Sequence, residues 1–93
     1  MEFKIEESGS KGEVTAVEAG KTLGTMTYSV AGEHLIIIDH TDVAPEGQGK
    51  AIGKRLLFTL VEELRASNRK AMPLCPFANA MFKKLPEIRD VLS

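Results

Sequence analysis

Nine residues, Pro-Glu-Gly-Gln-Gly-Lys-Ala-Ile-Gly from Pro45 to Gly53, link an apolar run to an amphipathic one. A glycine-rich loop at that junction turns backbone N–H groups toward an anion, and a following helix adds roughly half a positive charge at its N-terminus. Phosphate binding is the chemistry these residues predict. Two familiar phosphate loops fail the register. A Walker A loop ending at Gly53-Lys54 needs glycine where Gln48 stands and Ser or Thr where Arg55 stands. A dinucleotide fingerprint starting at Gly47 and Gly49 needs a third glycine at Ile52, inside a parallel strand-helix-strand unit.

Two further side chains could carry chemistry. Cys75 is the only cysteine. Where a short strand passes into a helix, the helix dipole favours its thiolate; in the alternative reading it is a small buried hydrophobe. His40, between Asp39 and Thr41, could act as a base near neutral pH or as a hydrogen-bonded structural residue. His34 lies beside a turn and reads as exposed. Glu46 reads as a loop residue. Lys50, Lys54 and Lys83 are available to phosphates or are solvated charges. A single cysteine excludes an intramolecular disulfide and a cysteine-rich zinc site, and two histidines give no ligand spacing, so no metal is expected.

The elements that position these residues follow from periodicity. Phe3 and Ile5 alternate with charged neighbours, the segment 8–12 is a turn, and Val14 to Glu18 resumes an extended pattern. Gly20 marks a reversal, Thr22 to Val30 is rich in strand formers, and Ala31-Gly32 predicts a tight turn. Leu35 to Ile38 is apolar at every position, the pattern of a strand covered on both faces. Beyond the loop, Ile52, Leu56, Leu60 and Leu64, widened by Leu57 and Val61, predict a helix over 50–67. Phe58 falls outside that stripe and needs a second element or an oligomer contact. A short strand over 70–74 with Pro73 suggests a sheet edge. Pro76 opens a second helix running to about Lys84.

With 93 residues, 43% hydrophobic and 27% charged, the chain suits one small domain over 1–93. No apolar run is long enough for a membrane span, and the acidic start is unlike a leader peptide, so a cytoplasmic protein with no membrane partner is expected. The net charge of -1 hides an asymmetry. Residues 1–49 hold three lysines against nine acids; residues 50–93 hold nine basic residues against four acids. An anionic ligand near the helix suits that polarity, although a solvated helix face would produce it too. Nucleic acid is disfavoured as a partner, because Phe58, Phe77 and Phe82 form no known stacking motif.

In the register Val43-x-Pro45-x-x-Gln48-Gly49-Lys50-Ala51-Ile52-Gly53, the loop resembles the acetyl-CoA loop of the GCN5-related N-acetyltransferases. Their signature is Gln/Arg-x-x-Gly-x-Gly/Ala after a valine and a proline. Cys75 to Leu85 is similar to a later motif of that family: Ala78, Met81 and Lys84 fit, Cys75 replaces an Asn, and Phe82 replaces a Tyr that often protonates the leaving CoA thiolate. Ala51 stands where the loop's first glycine is usual, a substitution compatible with ordinary helical dihedrals. The resemblance implies an α+β fold: an antiparallel four-stranded meander, a helix, a parallel fifth strand and a C-terminal helix. It covers roughly residues 22–85 and points to a small, truncated subfamily. It implies acetyl-CoA or coenzyme A bound by Val43, Gln48, Gly49, Lys50, Ala51, Ile52, Gly53, Lys54 and Phe82. It also implies a thioester near Cys75, which would accept the acetyl group or activate the acceptor with His40 as base. The function that follows is acetyl transfer to an amine or thiol acceptor, a protein or a small amine. The alternative is an acetyl-CoA binding or sensor module without turnover, a reading to which Phe82 and the short chain point.

Overall fold

A computed structural model describes all residues from Met1 to Ser93. Strands β1 (Glu2–Ser8), β2 (Lys11–Glu18), β3 (Lys21–Gly32) and β4 (Leu35–Val43) are followed by a 3-10 turn at Pro45–Gly47. Helix α1 (Ile52–Ala66), strand β5 (Lys70–Pro73), helix α2 (Pro76–Lys84) and a 3-10 segment at Pro86–Val91 complete the chain. The strands lie in the order β1-β2-β3-β4-β5, antiparallel except for β5, which runs parallel to β4. This is the expected α+β arrangement. Pro73 sits on an edge strand, where its missing N–H costs no central ladder bond.

Turn chemistry sets the meander. Ala19 and Gly20 both have positive φ, 51° and 78°, the mirror-image turn that matches strand twist in a two-residue hairpin. The β3–β4 reversal falls at Glu33–His34, because Ala31 and Gly32 remain in β3; the expected turn at Ala31-Gly32 is two residues early. A register shift explains this, since Gly32 pairs with Leu35 and Val30 with Ile36, leaving Ala31 as an extra residue.

One face of the sheet carries the core. Val14, Ala16, Met26, Tyr28, Ile36 and Ile38 have 0% exposure and meet Leu56, Leu57, Leu60 and Leu64 of α1 in one cluster with Ala78 and Phe82 of α2. Each such side chain contributes about 1.5–3 kcal/mol on burial. Helix α1 is closed at its C-terminus by Asn68 at φ 55°, a residue type suited to the left-handed cap. Phe58 is partly buried against the core, with the Lys54 ammonium 5.5 Å from its ring centre. No helix is long and apolar enough to cross a membrane.

The opposite face has no covering element. Leu35 and Ile37 are only partly buried, and Met72, paired with Ile37, is 41% exposed. The apolar run Leu35 to Ile38 is therefore covered on one face and not two. Lateral neighbours on both sides of β4 supply the remaining shielding.

Candidate functional site

The break between α1 and β4 forms the site. Ala44 N–H donates to Leu23 O, and the Gly47, Gln48 and Lys50 N–H groups bond within the loop. The N–H groups of Gly49 and Ala51 meet no backbone carbonyl. Those of Ile52, Gly53 and Lys54 belong to the first turn of α1, where no carbonyl precedes them. Helix α1 has no side-chain cap and no acid in its first turn. Free amides and an uncompensated dipole thus converge on one concave surface.

A cleft of about 480 Å³ opens there. Val43, Gln48, Gly49, Ala51, Ile52, Gly53 and Lys54, all expected from sequence, line it. Gly53 packs closely against α2: a Cβ there would lie 2.7 Å from the Phe77 ring. Ala51 has φ 55° and ψ 36°, a left-handed conformation and not the ordinary helical one expected. Its methyl is strained there. Lys50 does not line the cleft and lies 3.7 Å from Glu18. Phe82 does not line it either; the ring is 2% exposed within the core, so its expected cofactor contact is corrected to a packing role. Thr41, Gly47, Phe77 and Met81 complete the walls. Gly47 stood in the loop, and Phe77 and Met81 lie within the Cys75–Leu85 segment; Phe77 reaches the wall through its close approach to Gly53 of α1, which no local pattern reveals.

Pairing between β4 and β5 ends at Ile38 and Pro73. Leu74 and Cys75 N–H both bond Ile38 O, at 3.1 and 3.0 Å, so Asp39 to Val43 has a ladder partner only in β3. A gap in the backbone ladder therefore opens between β4 and β5 beyond Ile38 and Pro73. On β4, Ile38 pairs with Tyr28 and His40 with Thr27, leaving Asp39 as the extra residue of a bulge. The bulge places Asp39 and His40 together on the uncovered face, whereas Thr41, opposite buried Met26, returns to the cleft side.

That register separates the expected pair. Cys75, 3% exposed, lies on the helix side with Thr41 Oγ1 3.3 Å from its Sγ, while His40 is exposed on the other face. His40 does not serve as a base for Cys75 in this geometry; Thr41 is the thiol's partner. Cys75 is the residue before Pro76 at the N-terminus of α2, without a side-chain cap bond. His34 Nδ1 lies 3.0 Å from Asn68 O, in a structural role. Glu46 pairs with Lys21, and that ammonium holds its carboxyl below the usual range. No cluster of His, Cys, Asp and Glu suits a metal ion.

The comparisons with known proteins agree with this geometry. The sequence profile described as GCN5-related N-acetyl-transferase matches residues 11–91. The chain belongs to the GCN5-related N-acetyltransferase family. Its structure is similar to the solution structure of a GCN5-like protein from Staphylococcus aureus, with 33% identity, 97% of this chain and 87% of that one covered, and a TM-score of 0.69. The ribosomal-protein-S18-alanine N-acetyltransferase of Escherichia coli shares the fold at 17% identity and TM-score 0.70, over 84% of this chain and 53% of that one. Tetrahymena GCN5 does so at 16% identity and TM-score 0.67, over 83% and 51%. This member of the family spans about half the length of those two enzymes. No curated protein sequence matches the chain. Membership of the family supports acyl transfer as the general chemistry, and the cleft at the α1 N-terminus is where its loop lies.

Proposed function

We propose that the protein transfers an acetyl group from acetyl-CoA to a primary amine. The observation that carries this reading is the cradle of free amides at Gly49, Ala51 and the first turn of α1, opening on a cleft beside unpaired β4 backbone. The CoA pyrophosphate would rest on those amides, with Lys54 beside it. The pantetheine arm would run along Thr41 and Val43 and deliver the thioester to the gap between β4 and β5. Its amides resemble peptide groups, and the free side of β4 offers them ladder-like partners.

The acceptor enters from the uncovered face, where His40 stands. His40 takes the proton of the acceptor ammonium, and the amine nitrogen attacks the thioester carbonyl. The new C–N bond forms as the C–S bond breaks; the surplus proton left on the nitrogen passes to the departing sulfur, and CoA leaves as its thiol. Cys75 and Thr41, on the cleft side, face the sulfur end of this reaction and not the amine.

A second reading rests on Cys75 itself. Pro76 has no N–H, and the Phe77 and Ala78 N–H groups in the first turn of α2 lack intrahelical partners while Asn79 N–H bonds Cys75 O. An acetyl group carried on Cys75 would find two donors for its oxyanion. Intact-mass measurement after mixing with acetyl-CoA separates the two. Direct transfer leaves the protein mass unchanged and acetylates an added amine; a covalent route adds one acetyl group, which disappears in Cys75→Ala. Neither product nor adduct, with acetyl-CoA bound, would leave only the binding-module function.

A further inference from the structure

From the β2–β3 hairpin we infer that Glu18 and Lys21 are positioning residues for the cofactor loop. Paired with Lys50 and Glu46, they hold the backbone from Gln48 to Ala51 in the orientation that receives acetyl-CoA. The hairpin meets the loop at an irregularity in its own ladder. Ala16 pairs with Gly24 and Val17 with Thr22, which leaves Leu23 as the extra residue of a bulge. Its carbonyl accepts the Ala44 N–H at 2.8 Å. The same oxygen would lie 3.1 Å from a Cβ at Gly47, so the one buried residue of the loop rests on the bulge.

Beyond Gly47 that support stops. Gln48, Gly49, Lys50 and Ala51 are all exposed, and Gly49 and Ala51 have positive φ, 83° and 55°. A stretch without buried side chains belongs to the low-stability end of a fold unless something outside it restrains it. The hairpin turn supplies the restraint. Glu18 and Lys21 are cross-strand partners flanking Ala19-Gly20, yet each takes its ionic partner from the loop: Lys50 Nζ lies 3.7 Å from Glu18, and Lys21 pairs with Glu46. Glu46 and Lys50 are the two charged residues between Ala44 and Ala51. The alternating signs select one register, because the opposite placement sets Glu18 against Glu46 and Lys21 against Lys50.

The four charges sum to zero, so the quartet orients the loop without adding attraction for an anion. Attraction and positioning then predict opposite signs. If local charge alone mattered, removing Glu18 or Glu46 beside a pyrophosphate site would relieve repulsion, release Lys50 and tighten acetyl-CoA binding. If the pairs hold the loop, each removal weakens binding, since amides that must be ordered during association lower the affinity.

This inference rests on the acetyl-transfer reading for the identity of the cofactor, but the restraint itself is measurable without cofactor. Acetyl-CoA is titrated calorimetrically into Glu18→Gln, Glu46→Gln and the double variant, and amide order parameters are recorded on the free proteins. Exposed ion pairs are individually weak, so an affinity loss of about threefold is expected for each single variant and about tenfold for the double. The deficit should fade at high salt, where the parent's pairs are screened as well. Order parameters at Gly49 and Ala51 should fall in the double variant while those of Leu56 to Leu64 hold, with the melting temperature close to the parent's. Equal or tighter acetyl-CoA binding in the variants, or unchanged order parameters at Gly49 and Ala51, would overturn the inference. A parent protein that binds no acetyl-CoA would count against the acetyl-transfer reading, and the order parameters of the free proteins would still decide whether the hairpin holds the loop.

Discussion

Gly53 and Phe77 are in contact so close that a Cβ at Gly53 would lie 2.7 Å from the Phe77 ring. The contact ties the first turn of α1 to the first turn of α2 and forms one wall of the cleft. Phe77 is 38% exposed, so the ring can swing outward when crowded. In Gly53→Ala the fold should therefore persist, helped by about 0.5–1 kcal/mol of helix propensity, while the wall opens. Acetyl-CoA affinity is expected to fall about tenfold. Calorimetric titration of Gly53→Ala, Phe77→Ala and the double variant measures the coupling. Strictly additive losses would show that the contact does not shape the site.

Ala51 provides a second test because its strain is local. At φ 55° and ψ 36°, replacement by glycine removes the Cβ clash at the cost of a looser unfolded chain. Ala51→Gly should raise stability by about 1 kcal/mol, or about 5 °C in melting temperature for a domain of this size. An unchanged or lowered melting temperature would mean that the left-handed conformation is not held in solution.

Stability at the pH extremes depends on Tyr28, Glu7 and Arg69. Tyr28 Oη donates to Glu7 Oε1 at 2.8 Å, and Arg69 Nη1 donates to the same oxygen at 2.9 Å. Burial of the ring, then its bond to Glu7, pushes the Tyr28 hydroxyl up to about 12 from 10.0. The folded value is raised, so its contribution is whole below pH 10 and is lost as pH rises through about 12. Glu7 is held below its usual 4.5 by Tyr28 first and Arg69 next. Its contribution is present above 4.5 and fades as pH falls below that value. Tyr28→Phe should cost about 1.5 kcal/mol at neutral pH and flatten both limbs of a stability profile from denaturant melts. Gly12→Ala should be more damaging, because its Cβ would fall 2.2 Å from the Tyr28 ring.

His40 and Cys75, on opposite faces, should separate kinetically. His40→Ala should lower kcat for amine acetylation about a hundredfold with acetyl-CoA affinity unchanged. A matching fall in acetyl-CoA affinity would place His40 in the cofactor site instead.

The strand order, the α1 stripe and the loop register were all legible from local patterns. Alternation across β1 and β2, the Ile52–Leu56–Leu60–Leu64 spacing and the glycine loop each depend on a few neighbouring residues. Ala51 was misjudged because nothing local distinguishes an alanine held at positive φ from a helical one. The His40–Cys75 pairing failed for a similar reason: one bulge residue, Asp39, reverses which of His40 and Thr41 faces the helices. Phe82 stood in the right motif but turned into the core, because Ala78 and Phe82 lie one helical turn apart on the buried stripe of α2. Phe77 became part of the site only through contact between helices distant in sequence.

Whether the amide cradle at the α1 N-terminus holds the cofactor is read from amide shifts during a titration with acetyl-CoA. Saturable shifts are expected, centred on Gly47 to Lys54 and extending to Thr41, Val43 and Phe77, with little change along β1. A flat response, or shifts confined to β1 and β2, would contradict that placement.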